Sequence, residues 1–349
     1  MWFTSDNAAP AHPAVLEALA RANAGHAASY GGEEAMARVT ARLREVFEAP
    51  EAAVYLVATG TAANALALAC LCPPWATVYC HREAHVAVDE CAAPEFFTGG
   101  AKLTPLDGAH GRLAPEALAE ALAAAGAGVH NVQPGALSLT NATEAGTLYT
   151  PADLRALADL AHDRGLPVHL DGARFANALL RLGCTPAELS WKAGVDVLCL
   201  GGTKNGLMGV EAVILFDPAR AWEFELRRKR GGHLFSKHRY LTAQMEAYLA
   251  DDLWRDMARN ANARADALAA GLEALPGARL RHPVEANMVF AAWPRAGHRA
   301  LQDAGARYYF WPFEQSLDGP GDEELSARLV CSWSTTEDEV AAFIEVLRG

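Results

Sequence analysis

Short apolar runs alternate with helical stretches along most of this chain, and that alternation restricts its fold more than any other feature. Residues 53–57, 76–80, 135–139, 167–170, 196–200 and 212–216 are rich in Val, Leu, Ile and Ala and are bounded by Gly, Pro or Asp. Runs of this length and composition predict buried strands. Between them, 62–71, 115–125 and 151–162 predict helices, two of which open on Pro, where the missing N–H costs nothing. The expectation is an α/β fold, with a mostly parallel central sheet covered by helices on both faces. After about Leu226 the texture changes. Residues 236–250 and 252–275 predict two long helices, 288–292 and 327–333 strands, and 337–347 a closing helix. This predicts a smaller C-terminal α/β domain, with the boundary near residue 245.

The length of 349 residues agrees with two domains at about 150 residues each. Hydrophobic residues make up 51% and charged residues 21%, enough for a large core and unlike a disordered chain. The formal net charge of −12 argues against nucleic acid as a partner, because neutralising phosphates needs a basic surface. The seven Cys form no C-x-x-C pair and lie mostly in apolar runs, which predicts buried free thiols in a reducing compartment, with no disulfide framework and no metal site. The start MWFTSDNAAPAHP has no secretory pattern, and the apolar stretch 62–73 is too short to span a bilayer. These features predict a soluble cytoplasmic protein with no membrane partner. A mean hydropathy of +0.02 suggests that a subunit interface absorbs some of the apolar surface.

Ligands of open α/β sheets bind at the carboxyl ends of strands, and three predicted strand ends carry unusual residues. Gly60-Thr61 before a helix can form an anion cradle from free N–H groups, or be an ordinary capped helix start. In His169-Leu170-Asp171-Gly172-Ala173-Arg174, Asp171 can hold a proton on a heterocyclic nitrogen, or simply pair with Arg174. In Gly201-Gly202-Thr203-Lys204-Asn205, a lysine directly after a buried strand can be a desolvated Schiff-base nucleophile, or a loop lysine capping carbonyls. Together, an anion cradle, an Asp and a Lys at successive strand ends fit pyridoxal phosphate: phosphate on the helix, Asp on the ring nitrogen, Lys on the aldehyde.

With these motifs the sequence resembles the low-specificity threonine aldolases, fold-type-I pyridoxal phosphate enzymes with the aspartate-aminotransferase-like fold. The resemblance covers nearly the whole chain. It rests on Ser5-Asp6-Asn7, Tyr30-Gly31, Gly60-Thr61 with Ala63-Asn64, His85, the segment around Asp171, Gly202-Thr203-Lys204, Ala286-Asn287-Met288 and Arg328-Leu329-Val330. It implies an N-terminal segment, 1–29, that contributes to the active site, a large cofactor-binding domain, 30–245, and a small domain, 246–349. It implies retro-aldol cleavage of L-threonine, L-allo-threonine or related β-hydroxy-α-amino acids such as phenylserine to glycine and an aldehyde. By the same resemblance Lys204 binds the cofactor aldehyde, Asp171 pairs with the pyridinium, and Ala173 and His85 take the two ring faces. Gly60 and Thr61 hold the phosphate, and Thr203 and Arg174 are further cofactor-binding residues. Arg174, Arg328 and Ser5 grip the substrate carboxylate. Tyr30 stands at a subunit interface, and Lys229 or Arg230, in the basic run 227–230, reaches the phosphate of a neighbouring subunit in a homodimer or homotetramer.

One departure matters. Many relatives carry Glu-Asn-Thr-His-Asn after the fifth strand, whereas this chain reads Leu139-Thr140-Asn141-Ala142-Thr143-Glu144, with Thr143 in place of the His. The base is then His85, directly or through a water, or the Thr143–Glu144 side orders the water. His110, His130, His233 and His238 carry no motif and read as surface or structural residues. The rival activities on the same cofactor are β-elimination and transamination; a cofactor-sensing regulator would need a DNA-binding segment that is not evident here.

Overall fold

The computed structural model describes residues 1–349. Seven strands form the larger sheet: β1 (Ala53–Val57), β2 (Ala76–His81), β3 (Lys102–Leu106), β4 (Gln133–Thr140), β5 (Val168–Gly172), β6 (Val197–Gly201) and β7 (Glu211–Leu215). Their order is β1-β7-β6-β5-β4-β2-β3. Only β7 is reversed, running antiparallel to both β1 and β6. The carboxyl ends of β1, β2, β4, β5 and β6 therefore meet at one rim, and the first residue of β7 joins them there. Glu211 pairs with Val57 on one side and Gly201 on the other. In β5 and β6 alternate residues enter different cores. Leu170, Leu198 and Leu200 join a cluster of 46 buried residues, whereas Val197 and Cys199 join a second cluster of 21. Burial on both faces is why these strands are continuous apolar runs rather than alternating ones.

The helix Gly60–Leu71 covers the second face. Every residue from Ala62 to Leu71 is buried, so it has no solvent face, and the small Ala residues let it lie close against the sheet. Thr59 caps it, its Oγ1 accepting from Ala62 N at 3.2 Å. This cap fixes where the first helical turn, with its free N–H groups, meets the rim.

The second sheet is antiparallel throughout, in the order β10-β11-β9-β8, built from β8 (Arg279–Leu280), β9 (Met288–Pro294), β10 (Tyr309–Phe310) and β11 (Glu324–Val330). The helices Leu253–Glu273 and Glu337–Arg348 pack on it around Phe3, Trp293 and Phe343. The N-terminal segment ties the two sheets together. Phe3 N donates to Arg307 O at 2.7 Å, Val330 N to Phe3 O at 2.9 Å, and His12 N to Gly206 O at 2.8 Å. Ser5 and Asp6 are thereby delivered to the rim of the larger sheet.

Several elements differ from the sequence reading. Helices Pro13–Ala22 and Glu34–Val46, which pack on Arg239–Leu249, have no counterpart in the sequence reading, and neither do β3, β8 and β10. The last strand ends at Val330 rather than at residue 333, where the chain turns into hydrogen bonds among Ser332, Ser334 and Thr335. No helix is long and apolar enough to cross a membrane.

Gly135 sits where β4 shifts register against β2 between Thr77 and Val78. A Cβ there would lie 2.8 Å from Ala76 Cβ and 2.9 Å from Thr77 O, and would also strike Cys72 Sγ. Gly135→Ala is expected to destabilise the fold by about 1–3 kcal/mol through overpacking. Equilibrium denaturation measures this, and an unchanged midpoint would contradict the close packing of β4 on β2.

Candidate active site

At the rim, the first turn of the helix Gly60–Leu71 opens onto a cavity of about 230 Å³. The N–H groups of Gly60 and Thr61 have no acceptor in the protein, as expected for a helix start. A Cβ on Gly60 would meet nothing within 4 Å, so the space in front of these donors is open. Thr203 Oγ1, on the same cavity, is buried without a well-formed hydrogen bond. Donors, helix dipole and open space together make an anion site. Glu211 closes the floor. Its Oε2 accepts from Gly202 N at 2.7 Å, and burial pushes its carboxyl up to about 7.

Asp171, the penultimate residue of β5, is buried. Oδ1 accepts from Ala173 N at 2.9 Å and Oδ2 from Asn64 Nδ2 at 2.8 Å. The Asn64 amide donates again, to Glu90 Oε1 at 2.8 Å, and the same oxygen stands 2.8 Å from His85 Nδ1. Side-chain atoms of His85, Glu90 and Asp171 lie within 4.8 Å of one another. The contact with Glu90 raises the His85 imidazole above its ordinary 6.5, against the opposing effect of burial. His85 N also donates to Glu144 Oε1 at 2.7 Å. Burial, and then the Asp171 charge, push Glu144 up to about 7.

Lys204 follows β6 and faces the same cavity, its Nζ making no hydrogen bond or ion pair. Burial lowers its pKa, and Arg174 lowers it further. An amine so placed is a better nucleophile at neutral pH than a solvated lysine. His169, two residues before Asp171, is instead structural. It bridges Ser138 Oγ at 2.9 Å and Cys199 Sγ at 3.3 Å, and burial lowers it to about 4.

A second cavity of about 510 Å³ shares His85, Asp171, Ala173 and Lys204 and extends to Ser5, Arg174 and Arg328. Arg174 is already engaged: Nε and Nη2 donate to the two oxygens of Asp6 at 2.7 and 2.9 Å. Asn287 Nδ2 also reaches Asp6, at 3.1 Å. Burial raises the Asp6 carboxyl, but Arg174 and Lys204 outweigh it and hold the group below its ordinary value. Arg328 has no carboxylate partner. Its Nη2 donates to Thr4 O at 3.3 Å, its Nε is buried without a partner, and its guanidinium lies 5.1 Å from the Trp311 ring and 5.5 Å from the Tyr309 ring. Burial and the neighbouring Arg174 both disfavour its charge, as expected where an anion is to bind.

Most sequence-predicted residues thus converge on these two cavities: Ser5, Gly60, Thr61, His85, Asp171, Ala173, Arg174, Thr203, Lys204 and Arg328. Tyr30, Lys229 and Arg230 line neither. Tyr30 is exposed, with Lys229 Nζ 4.6 Å from its ring. Thr143 does not reach the cavities. It is fully buried, with Oγ1 2.8 Å from Thr147 Oγ1, and Thr147 donates on to His110 O at 2.6 Å. Sequence reasoning missed Glu90 and Glu211. Glu90 has a faint signal, an acid shortly after His85, whereas Glu211 stands just before the apolar run 212–216 and is brought to the rim only by the reversal of β7.

The chain matches the beta-eliminating lyase family over residues 3–293. It is 42% identical to the low specificity L-threonine aldolase of Pseudomonas aeruginosa over 346 residues, covering 99% of this chain and 96% of that one. It is 41% identical to the enzyme of the same description from a Pseudomonas species, covering 99% and 97%. Among solved structures, the threonine aldolase of Leishmania major superposes with a TM-score of 0.91 at 30% identity, covering 99% of this chain and 98% of that one. A Sphingomonas wittichii serine palmitoyltransferase, at a TM-score of 0.70 and 15% identity over 99% and 86%, shares the fold. Continuous matches of this extent, over a rim that gathers Asp171, His85 and Lys204, place the chain in the beta-eliminating lyase family, among the low-specificity L-threonine aldolases.

Proposed function

We propose that this chain cleaves β-hydroxy-α-amino acids of the threonine, allo-threonine or phenylserine kind to glycine and an aldehyde, with pyridoxal phosphate as cofactor. The observation that carries the reading is the convergence of an open helix N-terminus, a buried Asp, a partnered His and an unpaired Lys on one cavity, beside an unpaired Arg. The residues fit the cofactor. The N–H groups of Gly60 and Thr61 and the Thr203 hydroxyl would hold its phosphate, Asp171 its ring nitrogen and Lys204 its aldehyde, with His85 and Ala173 in contact with the ring. When bound, pyridoxal phosphate supplies a conjugated ring that accepts the electron pair released as Cα–Cβ breaks.

The chain's own residues do the rest. Asp171, fixed by Asn64 and Ala173 N–H, keeps a proton on the ring nitrogen. Arg328 and Ser5 bind the substrate carboxylate, and Arg174, anchored on Asp6, contributes its remaining nitrogen. Holding the carboxylate decides which Cα bond stands across the ring, so bond choice is an orientation effect. His85 takes the proton of the β-hydroxyl through Nε2, because Nδ1 is engaged by Glu90. Thr143 takes no part, its hydroxyl being engaged by Thr147.

The test is product analysis with threonine and phenylserine: glycine plus aldehyde supports the reading, while ammonia plus a keto acid would replace it with β-elimination. Borohydride should fix the cofactor to Lys204 and to no other lysine; an adduct mapped elsewhere would remove Lys204 from its role.

The acid limb of the pH–rate profile is expected above 6.5, because the contact with Glu90 raises His85 and only its neutral form accepts a proton. His85→Asn is expected to retain bound cofactor and lose roughly 10²-fold in turnover. Thr143→Ala is expected to cost about 1 kcal/mol of stability and little turnover. A larger loss of turnover from Thr143→Ala than from His85→Asn would move the base to the other side of the cavity.

The same reading makes the active unit at least a dimer in the cytoplasm. It is supported by the exposed Tyr30–Lys229 stack, by the unpaired Arg230 beside it, and by seven free thiols of which five are buried. Sedimentation of a fully active monomer would contradict the shared site.

A further inference from the structure

His85 opens the short helix His85–Val88, and the chain then doubles back so that Glu90 faces the ring from its own loop. Directly after Glu90 the chain takes two consecutive residues in the left-handed region, Cys91 at φ 49° and Ala92 at φ 57°, before the next helix begins at Ala93. Neither is glycine, so the turn is held against local steric preference. Glu90 itself has a fully buried side chain and stands between a histidine and an asparagine.

The hydrogen on the His85–Glu90 contact can be assigned. Asn64 Nδ2 faces two carboxylates, Glu90 and Asp171, and only the donor end of an amide can do so. It converges with His85 Nδ1 on one oxygen, Glu90 Oε1, at 2.8 Å each. An ionised carboxylate oxygen can only accept, so with Glu90 in its ionised form the hydrogen of this contact lies on Nδ1. The other ring nitrogen, Nε2, has no partner in the protein, and His85 lines both cavities.

We propose that Glu90 is the positioning residue of the proton-accepting histidine: it keeps His85 in the Nδ1–H form with Nε2 bare toward the substrate, and through Asn64 it ties that ring to the Asp171 carboxylate. The inference rests on the reading of His85 as base. Glu90 lines neither cavity. It acts through two neighbours, so that the proton acceptor on one side of the site and the proton holder on the other share a single buried anchor. The other charged groups facing His85 are Asp171 at the end of β5, Glu144 after β4, and Lys204 after β6. Only Glu90 bonds the ring itself.

The experiment compares Glu90→Gln, His85→Asn and the double variant as cofactor-loaded proteins. Glu90→Gln preserves the shape and one acceptor oxygen but removes the charge that holds a proton on the ring. Turnover is expected to fall roughly 10- to 100-fold with the cofactor absorbance retained. The acid limb is expected to move to lower pH, because the contact that raised His85 is gone. Adding Glu90→Gln to His85→Asn should cost little more. An unmoved acid limb with turnover within about twofold, or the same loss in the His85→Asn background, overturns the proposal while leaving His85 as base. If His85→Asn itself changes neither turnover nor limb, the base reading falls and this proposal with it. Should Glu90→Gln fail to fold, nitrogen-15 spectra of the native holoenzyme, with the His85 signals identified by difference from His85→Asn, decide the matter. A protonated Nδ1 and bare Nε2 above the limb support it, and the opposite tautomer overturns it.

Discussion

The side-chain amide of Asn64 donates at 2.8 Å to Glu90 and at 2.8 Å to Asp171, and the arrangement of the site depends on where that amide is held. Asn64 lies in the first turns of a helix buried along its whole length from Ala62. Such a helix has no freedom to slide, because its side chains fill one face of the sheet at close packing. The same helix start presents the free N–H groups of Gly60 and Thr61. One rigid element therefore fixes the anion cradle and the carboxylate network in a single register, and the Ala-rich core beneath it is what makes the site precise. Polar groups buried in this way are stable only when satisfied together, since a low local dielectric strengthens a completed network and penalises a broken one.

Much of the scaffold is legible in the sequence for a simple physical reason. Strands buried on both faces must be apolar throughout, and the residues that interrupt them at their carboxyl ends stand out against that background. Asp171 and Lys204 are conspicuous on this ground, and both lie on the cavity. Apolarity, however, has no direction. The run 212–216 looks like the other strands, and nothing in it shows that β7 runs backwards and lifts Glu211 to the rim. Hydrogen-bond pairing is equally silent, because Asn64 meets partners 26 and 107 residues away and Arg174 one 168 residues away. Arg174 reads as a free carboxylate clamp in the sequence, yet its fork is occupied by Asp6. Thr143 stands at a position the resemblance marks as important, yet its side chain turns into the protein toward Thr147.

The engagement of Arg174 changes the electrostatics of the substrate side. Two guanidinium groups in one partly buried cavity disfavour each other, and each also loses solvation. Asp6 neutralises one of them with two short hydrogen bonds, and Asn287 steadies Asp6 in turn. Arg328 is left with a backbone carbonyl, two aromatic rings and an unsatisfied Nε. A group in that state recovers the cost of its burial only when a carboxylate arrives, and the gain is largest for a planar anion that can pair with a guanidinium in a fork. The excess of acidic residues over the whole chain does not oppose this, since interactions inside a cavity are screened far less than those between exposed charges beyond a Debye length. With Asp6 in place, Arg328 is the guanidinium of this cavity left without a carboxylate partner, which is the chemistry the single carboxylate of an amino acid requires.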